Sequence, residues 1–404
     1  MSEAFLRQTV CHPDARHRDQ GQHPAAFDSG DKHQDETGRT PIVIAAGGTG
    51  GHFFPAEALA AELIMRGRRV VLFTDARSSF LGSAVFANAE TYVLPGAGIA
   101  GRGLLRGSKA ATALAAGMLR ARAVLSRLNA GAIVGFGGYP CVPPVVATRF
   151  LRRRPPVILH EQNAVLGRAN RFLTGRATRL ALTFANTTRV PAKTPTEFIG
   201  NPVRPAIAAL ANAAYPAMGE KIRLLILGGS LGARVFSDVV PAALLALPDN
   251  LRTRVRVTQQ CRQEDLERVR TTYATAGIQA DLAPFFLDVA DRLLDAHLVI
   301  ARAGASTVCE LAVVGRPSIL VPLPSAIDDH QTANARALAD AGGAWVMPQP
   351  SFTPAALTAK LIELLDDPAA LAAAAKNAHT QARPNAAAAL ADLVEALMHQ
   401  EARA

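Results

Sequence analysis

Residues 42–52 read IVIAAGGTGGH, and residues 224–233 read LLILGGSLGA. Each stretch is a short apolar run that ends in a glycine-rich turn, and a helix-forming sequence follows each turn. A short apolar run bounded by glycines predicts a buried strand of a parallel sheet. Glycines at the start of a helix leave backbone N–H groups free, which favours binding of a phosphate or another anion. Two such turns, one in each half of the chain, predict two similar lobes.

The length and composition also fit a two-lobed α/β protein. The chain has 404 residues, which is more than one hydrophobic core normally organises. Apolar residues make up 49% of the chain, as in globular proteins, yet no apolar run reaches the ~18 residues of a membrane-spanning helix. Residues 1–38 have neither hydrophobic periodicity nor the apolar stretch of a secretory signal, so we expect a disordered extension. The cysteines are far apart, which favours reduced thiols.

Basic residues are concentrated in one part of the first half. Residues 98–180 contain fourteen Lys and Arg side chains and a single acidic residue, Glu161. Such a concentration of positive charge attracts nucleic acid, anionic lipid or a phosphate-bearing substrate, whereas a set of solvated Arg-rich helices explains it without any ligand. The segment has few aromatic residues for base stacking and no recognisable nucleic-acid module. We therefore expect no nucleic-acid partner.

Polar or glycine-rich loops follow several predicted strands. Strand 132–134 precedes the turn GFGGY at 135–139, and strand 156–159 precedes HEQN at 160–163. Because parallel strands end at the same edge of a sheet, we expect these loops to converge on one cleft. Segment 198–205, with two prolines and a glycine, suits a connection between the lobes. The second half repeats the pattern, with predicted strands at 255–258, 298–300 and 318–321.

Six motifs, taken in order, resemble the MurG family of membrane-associated N-acetylglucosaminyltransferases of peptidoglycan synthesis. The motifs are GGTGGHFFP at 47–55, GGY at 137–139, HEQN at 160–163, GNPVR at 200–204, GGS at 228–230 and GASTVCE at 304–310. The resemblance implies a glycosyltransferase-B fold, in which two Rossmann-like lobes face each other across a cleft. It also implies inverting transfer of N-acetylglucosamine (GlcNAc) from UDP-GlcNAc to the C4 hydroxyl of MurNAc in undecaprenyl-diphospho-MurNAc-pentapeptide (lipid I), which gives lipid II and UDP.

The same resemblance implies that the two lobes bind different substrates. Residues 39–200 form the acceptor-binding, membrane-facing lobe, and residues 201–383 form the UDP-GlcNAc-binding lobe. An Ala/Leu-rich helix within 384–404 folds back on either lobe, and we assign it to the first. The implied location is the cytoplasmic face of the bacterial inner membrane, with an anionic membrane surface and cell-wall synthesis or division proteins as partners. No cofactor is implied.

Two residues are candidates for the general base. A sugar hydroxyl that attacks the donor needs a proton acceptor with a pKa near neutrality, and His52 at the start of a predicted helix suits this task. A histidine that caps the helix or packs at its mouth is the alternative. Glu161 is the second candidate, or it is an ion-pair partner of the surrounding arginines. The family pattern favours His52.

The predicted donor site draws on both halves of the chain. Segment 302–307 leads from a strand into a helix, so its free N–H groups and the hydroxyls of Ser306 and Thr307 can hold phosphates. One turn later, Glu310 matches the residue that binds the ribose hydroxyls in the resembled family, although a helix N-terminal acid is the alternative. The predicted donor set is Thr49, Gly50, Gly51, Asn163, Arg204, Ser230, Phe286, Ala305, Ser306, Thr307, Glu310, Gln331 and Asn334.

Several members of this set have a structural alternative. Phe286 matches the base-contacting position of the family and equally suits a hydrophobic core. Arg204 matches a donor-contacting position and equally suits an interdomain ion pair. Gln331 and Asn334 are three residues apart, so they share a helical face and can offer amide groups to sugar hydroxyls. The chain contains no Asp-X-Asp motif, so we predict no metal site.

Residues 104–128 predict an amphipathic helix with a basic face beside a leucine-rich one. Such a helix rests on anionic lipid, or it is a surface helix with a buried stripe. The lipid-linked acceptor of the family favours membrane contact, and Tyr139 in the turn at 135–139 is a predicted acceptor contact. The basic face consists of Arg106, Lys109, Arg120 and Arg127.

Two other enzyme classes share parts of this pattern. A dinucleotide oxidoreductase has the same strand and glycine-rich turn, but its third glycine is replaced here by Phe53. A nucleotide-sugar epimerase has the same architecture, and release of a free sugar without any acceptor would identify it.

Overall fold

The computed structural model describes residues 40–47, 50–75, 83–95, 104–229 and 232–403, and of residues 104–111 and 402–403 only the backbone. The extension predicted at residues 1–38 and two predicted donor residues, Thr49 and Ser230, lie outside the described residues. The side chains of Arg106 and Lys109 lie outside them as well.

The first lobe is built on a parallel sheet of seven strands in the order β3-β2-β1-β4-β5-β6-β7. Its strands are β1 Ile42–Ala45, β2 Val70–Thr74, β3 Glu90–Val93, β4 Ala132–Gly135, β5 Val157–Glu161, β6 Arg179–Leu182 and β7 Thr196–Phe198. Ile42 of the central strand is in register with Val70 on one side and Ala132 on the other. The side chains of β1 are fully buried, as expected for a strand covered on both faces.

The second lobe repeats this arrangement with six parallel strands in the order β10-β9-β8-β11-β12-β13. Its strands are β8 Ile222–Leu227, β9 Val255–Gln260, β10 Gln279–Ala283, β11 Leu298–Ala301, β12 Ser318–Leu320 and β13 Ala344–Val346. Two α/β lobes with parallel sheets confirm the predicted fold class.

Helices cover both faces of each sheet. The α-helices of the described residues are α1 Gly50–Met65, α2 Leu104–Leu128, α3 Val142–Ala147, α4 Arg168–Leu173, α5 Pro205–Ala208, α6 Arg234–Leu245, α7 Asp249–Arg252, α8 Leu266–Thr275, α9 Val289–Asp295, α10 Ala305–Val314, α11 His330–Ala339, α12 Pro354–Leu365, α13 Pro368–Thr380 and α14 Ala386–Arg403. Alternate residues of β1 enter different cores, since Ile42 and Ile44 pack on one face and Val43 and Ala45 on the other.

The C-terminal helix α14 packs on the first lobe, although it follows the second lobe in sequence. Leu390 and Val394 are fully buried in the same core as Leu59 of α1. Next to this apolar contact, Arg66 Nη1 donates to Asp392 Oδ1 at 2.6 Å and to Glu395 Oε2 at 2.9 Å. The chain therefore crosses back between the lobes near its end.

Helix α2 begins and ends at the predicted residues, but its apolar stripe faces inward. Leu125 is buried, and Leu114 and Leu128 pack partly on the same core. The apolar stripe therefore belongs to the core, as in the alternative of a surface helix with a buried stripe, and membrane contact of the basic face stays a prediction. Arg120 and Arg127 are exposed, and Arg127 contacts Tyr92 through a hydrogen bond.

Replacing Leu390 by Ala tests the docking of α14. The substitution leaves a cavity between α14 and the first sheet, so we expect the free energy of unfolding to fall by about 2–5 kcal/mol in urea titrations. Leu287→Ala is the control, because the Leu287 side chain is 92% exposed. Equal stability of the two variants would contradict this packing.

Candidate active site

The glycine-rich turn after β4 lies directly against His52 at the start of α1. A Cβ atom added to Gly137, whose φ is +84°, would lie 3.2 Å from His52 Cδ2. Only glycine combines this left-handed backbone with so close an approach. The turns after β1 and β4 therefore meet, as predicted from the parallel sheet, and Tyr139 follows the second turn with 39% of its surface exposed.

Burial changes the acid–base behaviour of His52. Desolvation, together with a smaller effect of the charge of His330 in the second lobe, lowers the pKa of the imidazole to about 4. The ring is therefore neutral and able to accept a proton at neutral pH. It is a weaker base than the sequence predicted, since we expected a pKa near neutrality.

A buried polar network supports the loop after β5. Gln162 Nε2 donates to Phe136 O at 3.0 Å and to His160 Nδ1 at 3.1 Å. His160 Nδ1 is thus an acceptor, so Nε2 carries the hydrogen that is donated to Gly200 O at 2.9 Å. Burial lowers the pKa of His160 to about 4, which keeps this tautomer neutral. The network joins the loops after β4, β5 and β7 and was not foreseen from the sequence.

Glu161 is buried, and amide groups surround its carboxylate. Oε1 accepts from Asn163 N at 3.0 Å and from Asn163 Nδ2 at 3.2 Å, while Oε2 accepts from Gly167 N and Asn170 Nδ2, both at 2.9 Å. These bonds fold residues 163–170 around the carboxylate. Glu161 is thus held as an organiser of this loop, and its role as a base stays a prediction.

In the second lobe, helix α10 offers an uncapped N-terminus. The helix begins at Ala305, and its N-cap residue Gly304 makes no side-chain hydrogen bond to it. Ser306 Oγ is buried and has no hydrogen-bond partner among the residues that the structure describes. Free N–H groups, the helix dipole and a free hydroxyl together favour an anion at this end of α10. Thr307 occupies the same first turn.

Two predicted donor residues bind each other in the structure. Arg204 Nε donates to Glu310 Oε1 at 2.9 Å, and Arg204 Nη2 donates to Glu310 Oε2 at 3.0 Å. Burial raises the pKa of Glu310, and the guanidinium of Arg204 opposes this shift. The Arg204 guanidinium also lies 5.8 Å from the ring centre of Phe54 in α1. Arg204 thus links the first lobe to Glu310, and a ribose must share or replace one of these bonds.

Gln260 at the end of β9 holds the second glycine-rich turn and was not identified from the sequence. Its Oε1 accepts from Gly228 N at 3.1 Å, and its Nε2 donates to Gly229 O at 3.0 Å and to Pro284 O at 3.1 Å. The only available signal was a polar residue at the carboxyl end of a predicted strand. This amide fixes the turn relative to the loop that carries Phe286.

Phe286 is only 5% exposed, and the guanidinium carbon of Arg292 lies 3.9 Å from the centre of its ring. The ring therefore packs under an arginine, and a contact with a nucleobase stays a prediction.

Helix α11 carries two further predicted donor residues, Gln331 and Asn334. Gln331 Oε1 accepts from Leu323 N at 2.9 Å. Asn334 is fully buried between the lobes, where Oδ1 accepts from Ala164 N at 2.8 Å and Nδ2 donates to Asn163 Oδ1 at 3.1 Å and Ala303 O at 3.2 Å. Both amide hydrogens of Asn334 are already donated, so a sugar can reach them only after this contact opens.

Within the described residues, no group of three or more His, Cys, Asp and Glu side chains is arranged to hold a metal ion. No helix among them is long and apolar enough to span a bilayer.

Comparison with known proteins places both lobes in one family. Residues 42–182 match the glycosyltransferase family 28 N-terminal domain, and residues 223–390 match the glycosyltransferase family 28 C-terminal domain.

Individual relatives agree with this match. The chain is 65% identical to the Granulibacter bethesdensis UDP-N-acetylglucosamine–N-acetylmuramyl-(pentapeptide) pyrophosphoryl-undecaprenol N-acetylglucosamine transferase, over 88% of this chain and 93% of the relative. It is 53% identical to the Gluconobacter oxydans protein of the same name, over 89% and 99% of the two chains. The crystal structure of Acinetobacter baumannii MurG has a TM-score of 0.73 and 32% identity, over 88% of this chain and 99% of that one.

The buried histidines predict a loss of stability in acid. His52 and His160 have a pKa of about 4 in the folded chain against an ordinary value of 6.5, so between these values the unfolded chain binds more protons. The free energy of unfolding therefore falls as the pH is lowered through this range. We expect His160→Gln to lose less stability than the wild type between about pH 7 and about pH 5 in urea titrations.

His379→Gln is the matched control, because His379 is exposed. It should keep the pH dependence of the wild type. Identical slopes for His160→Gln and the wild type would show that His160 is not held neutral.

Proposed function

Because the chain belongs to glycosyltransferase family 28, and within it to the MurG family, we propose that it transfers GlcNAc from UDP-GlcNAc to undecaprenyl-diphosphate-linked MurNAc-pentapeptide. The product is lipid II, the disaccharide-bearing precursor of peptidoglycan, and the second product is UDP. The transfer inverts the configuration at C1 of GlcNAc, and the acceptor atom is the C4 hydroxyl oxygen of MurNAc.

The observation that carries this proposal is the pairing of a neutral imidazole with an anion-binding helix end across the lobes. His52 of α1 belongs to the first lobe, and α10 with its uncapped N-terminus belongs to the second. Helices α1 and α10 contact each other, and the pKa of His52 responds to the charge of His330 in the second lobe. The residue that we propose as the proton acceptor and the helix end that we propose for the diphosphate are therefore on facing elements, which supports transfer between two bound substrates.

In the proposed mechanism, His52 accepts the proton of the acceptor C4 hydroxyl as its oxygen attacks C1 of GlcNAc. The bond between C1 and the UDP oxygen breaks on the opposite side of the sugar, which accounts for inversion. Negative charge that develops on UDP meets the free N–H groups of α10 and the hydroxyls of Ser306 and Thr307. Glu310 holds the ribose hydroxyls, and Arg204 supplies positive charge beside it.

The decisive test is transfer of radiolabelled GlcNAc from UDP-GlcNAc to purified lipid I. We expect the label to appear in lipid II only when lipid I is present. Release of free labelled sugar without lipid I would instead indicate a nucleotide-sugar epimerase or hydrolase. Absence of labelled lipid II with active substrates would reject the proposal.

Two substitutions should change different kinetic parameters, one kcat and the other the donor KM. His52→Ala removes the base, so we expect kcat to fall by ~10²–10⁴ with little change in UDP-GlcNAc affinity. Glu310→Ala removes acceptors of the ribose hydroxyls, so we expect the donor KM to rise roughly tenfold or more. Steady-state kinetics and donor-binding calorimetry separate the two effects. Glu267→Ala is the control, because the Glu267 side chain is 82% exposed in a local ion pair.

An unchanged kcat in His52→Ala would remove His52 as the base. An unchanged donor KM in Glu310→Ala would reject the ribose assignment.

We also propose that the first lobe rests on the anionic cytoplasmic face of the inner membrane. The support is an exposed surface on the α2, α3 and α4 side of the sheet that combines apolar and basic side chains. Leu119, Phe150 and Phe172 are 68%, 60% and 59% exposed. Arg122 Nε donates to Phe150 O at 3.1 Å, and the Arg176 guanidinium lies 5.2 Å from the ring centre of Phe172. Exposed aromatic rings beside arginines are typical of surfaces that bind anionic lipid headgroups.

The double variant Phe150→Ser with Phe172→Ser tests this surface. Two aromatic rings then no longer enter the interface, so we expect partitioning into phosphatidylglycerol-containing vesicles to fall at least about tenfold. Vesicle co-sedimentation measures the effect. Leu287→Ser is the control, because Leu287 is 92% exposed in the second lobe. Equal partitioning of all three proteins would contradict the proposed membrane surface.

A further inference from the structure

The loop that leads into α11 has an unusual backbone. Asp328 and Asp329 both have positive φ values, +56° and +53°. Consecutive non-glycine residues in the left-handed region are uncommon and cost free energy, although aspartate tolerates this region better than most residues. Such a conformation persists where surrounding contacts hold it in place.

The contacts that hold Asp328 come from the first lobe. Its Oδ1 lies 2.8 Å from Arg189 Nη1, and its Oδ2 lies 3.4 Å from Arg168 Nε and 3.6 Å from Arg171 Nη2. The Asp328 side chain is only 17% exposed. Hydrogen bonds from Arg189 and Arg168 lower the pKa of Asp328, so the carboxylate is charged at neutral pH. A second-lobe aspartate thus meets three first-lobe arginines.

The same segment contacts the first lobe a second time. Asn334, one and a half turns further on, accepts a hydrogen bond from Ala164 N at 2.8 Å. His330 and Gln331 lie between these two contacts in the sequence. Any shift of Asp328 relative to the arginines therefore moves His330 and Gln331 relative to His52.

We propose that Asp328 is a positioning residue. Its ion pairs with the first lobe fix the position of segment 329–331, which contains the predicted donor residue Gln331, relative to His52. This inference rests on the proposed function for the identity of the donor. Asp328 acts through the segment 329–331 and needs no contact with either substrate. Because the three arginines are partly exposed, each ion pair is individually weak and reversible, which suits a contact that must release product.

Asp328→Asn is the informative substitution, since asparagine also tolerates the left-handed backbone and only the charge is lost. The donor binds mainly to the second lobe, so we expect its dissociation constant to change by less than about threefold while kcat falls roughly tenfold. Steady-state transfer to lipid I and donor-binding calorimetry give the two quantities. A structural defect of the loop would instead weaken donor binding in proportion.

A double-mutant cycle with Arg189→Gln tests the partner. We expect the effects of Asp328→Asn and Arg189→Gln on kcat to be clearly less than additive, because both remove the same ion pair. Asp249→Asn is the matched control, since it breaks an exposed Asp–Arg pair within α7 of the second lobe. It should leave kcat unchanged. Additive effects, or an unchanged kcat in Asp328→Asn, overturn the proposal.

Hydrogen exchange provides a readout that needs no substrate. The Ala164 N–H is bonded to Asn334 across the lobes, so its exchange should accelerate in Asp328→Asn and not in Asp249→Asn. Equal exchange in all three proteins overturns the positioning role. If the wild-type protein transfers no GlcNAc, the proposed function fails, whereas the exchange experiment still decides whether Asp328 holds the lobes.

Discussion

The common direction of the strands is the constraint on which the site depends. In each lobe all strands of the sheet are parallel, so every loop that follows a strand emerges at the same edge. The turn after β4 therefore contacts His52 after β1, and Gln260 after β9 reaches the turn after β8. The first contact needs only a glycine in the turn, and the second needs only an amide side chain at the end of the strand. Two repeats of one fold thus provide two loop-rich edges.

Several polar contacts join the lobes around the site. Asn334 joins Ala164, the arginines join Asp328, and Arg204 lies between Phe54 and Glu310. Polar contacts of this kind hold two lobes in register and still allow them to separate, as a transferase that admits two substrates requires. They also join three predicted donor residues, Arg204, Glu310 and Asn334, to groups of the other lobe or to each other. The contacts between the lobes therefore include residues that we propose to bind the donor.

Desolvation sets the protonation states at this surface. It lowers the pKa of His52 and His160 and raises the pKa of Glu310. His52 and His160 are therefore neutral at neutral pH, and Glu310 forms an ion pair with Arg204. Charged groups at this surface are thus paired with each other, as Arg204 is with Glu310.

The sequence by itself determined the lobes, the glycine-rich turns and the uncapped start of α10, because apolar runs and glycine positions are local patterns with local consequences. The sequence also predicted the first and last residues of α2. It did not determine which face of α2 is buried, because that depends on the sheet against which α2 packs. Only the tertiary structure decided that Glu161 is bound by amides, that Asn334 is closed between the lobes and that Arg204 binds Glu310. The contacts of Asn334 and Arg204 reach partners up to 171 residues away, and no local pattern encodes them. The amides that bind Glu161 lie close to it in sequence, but only the folded loop turns them toward the carboxylate.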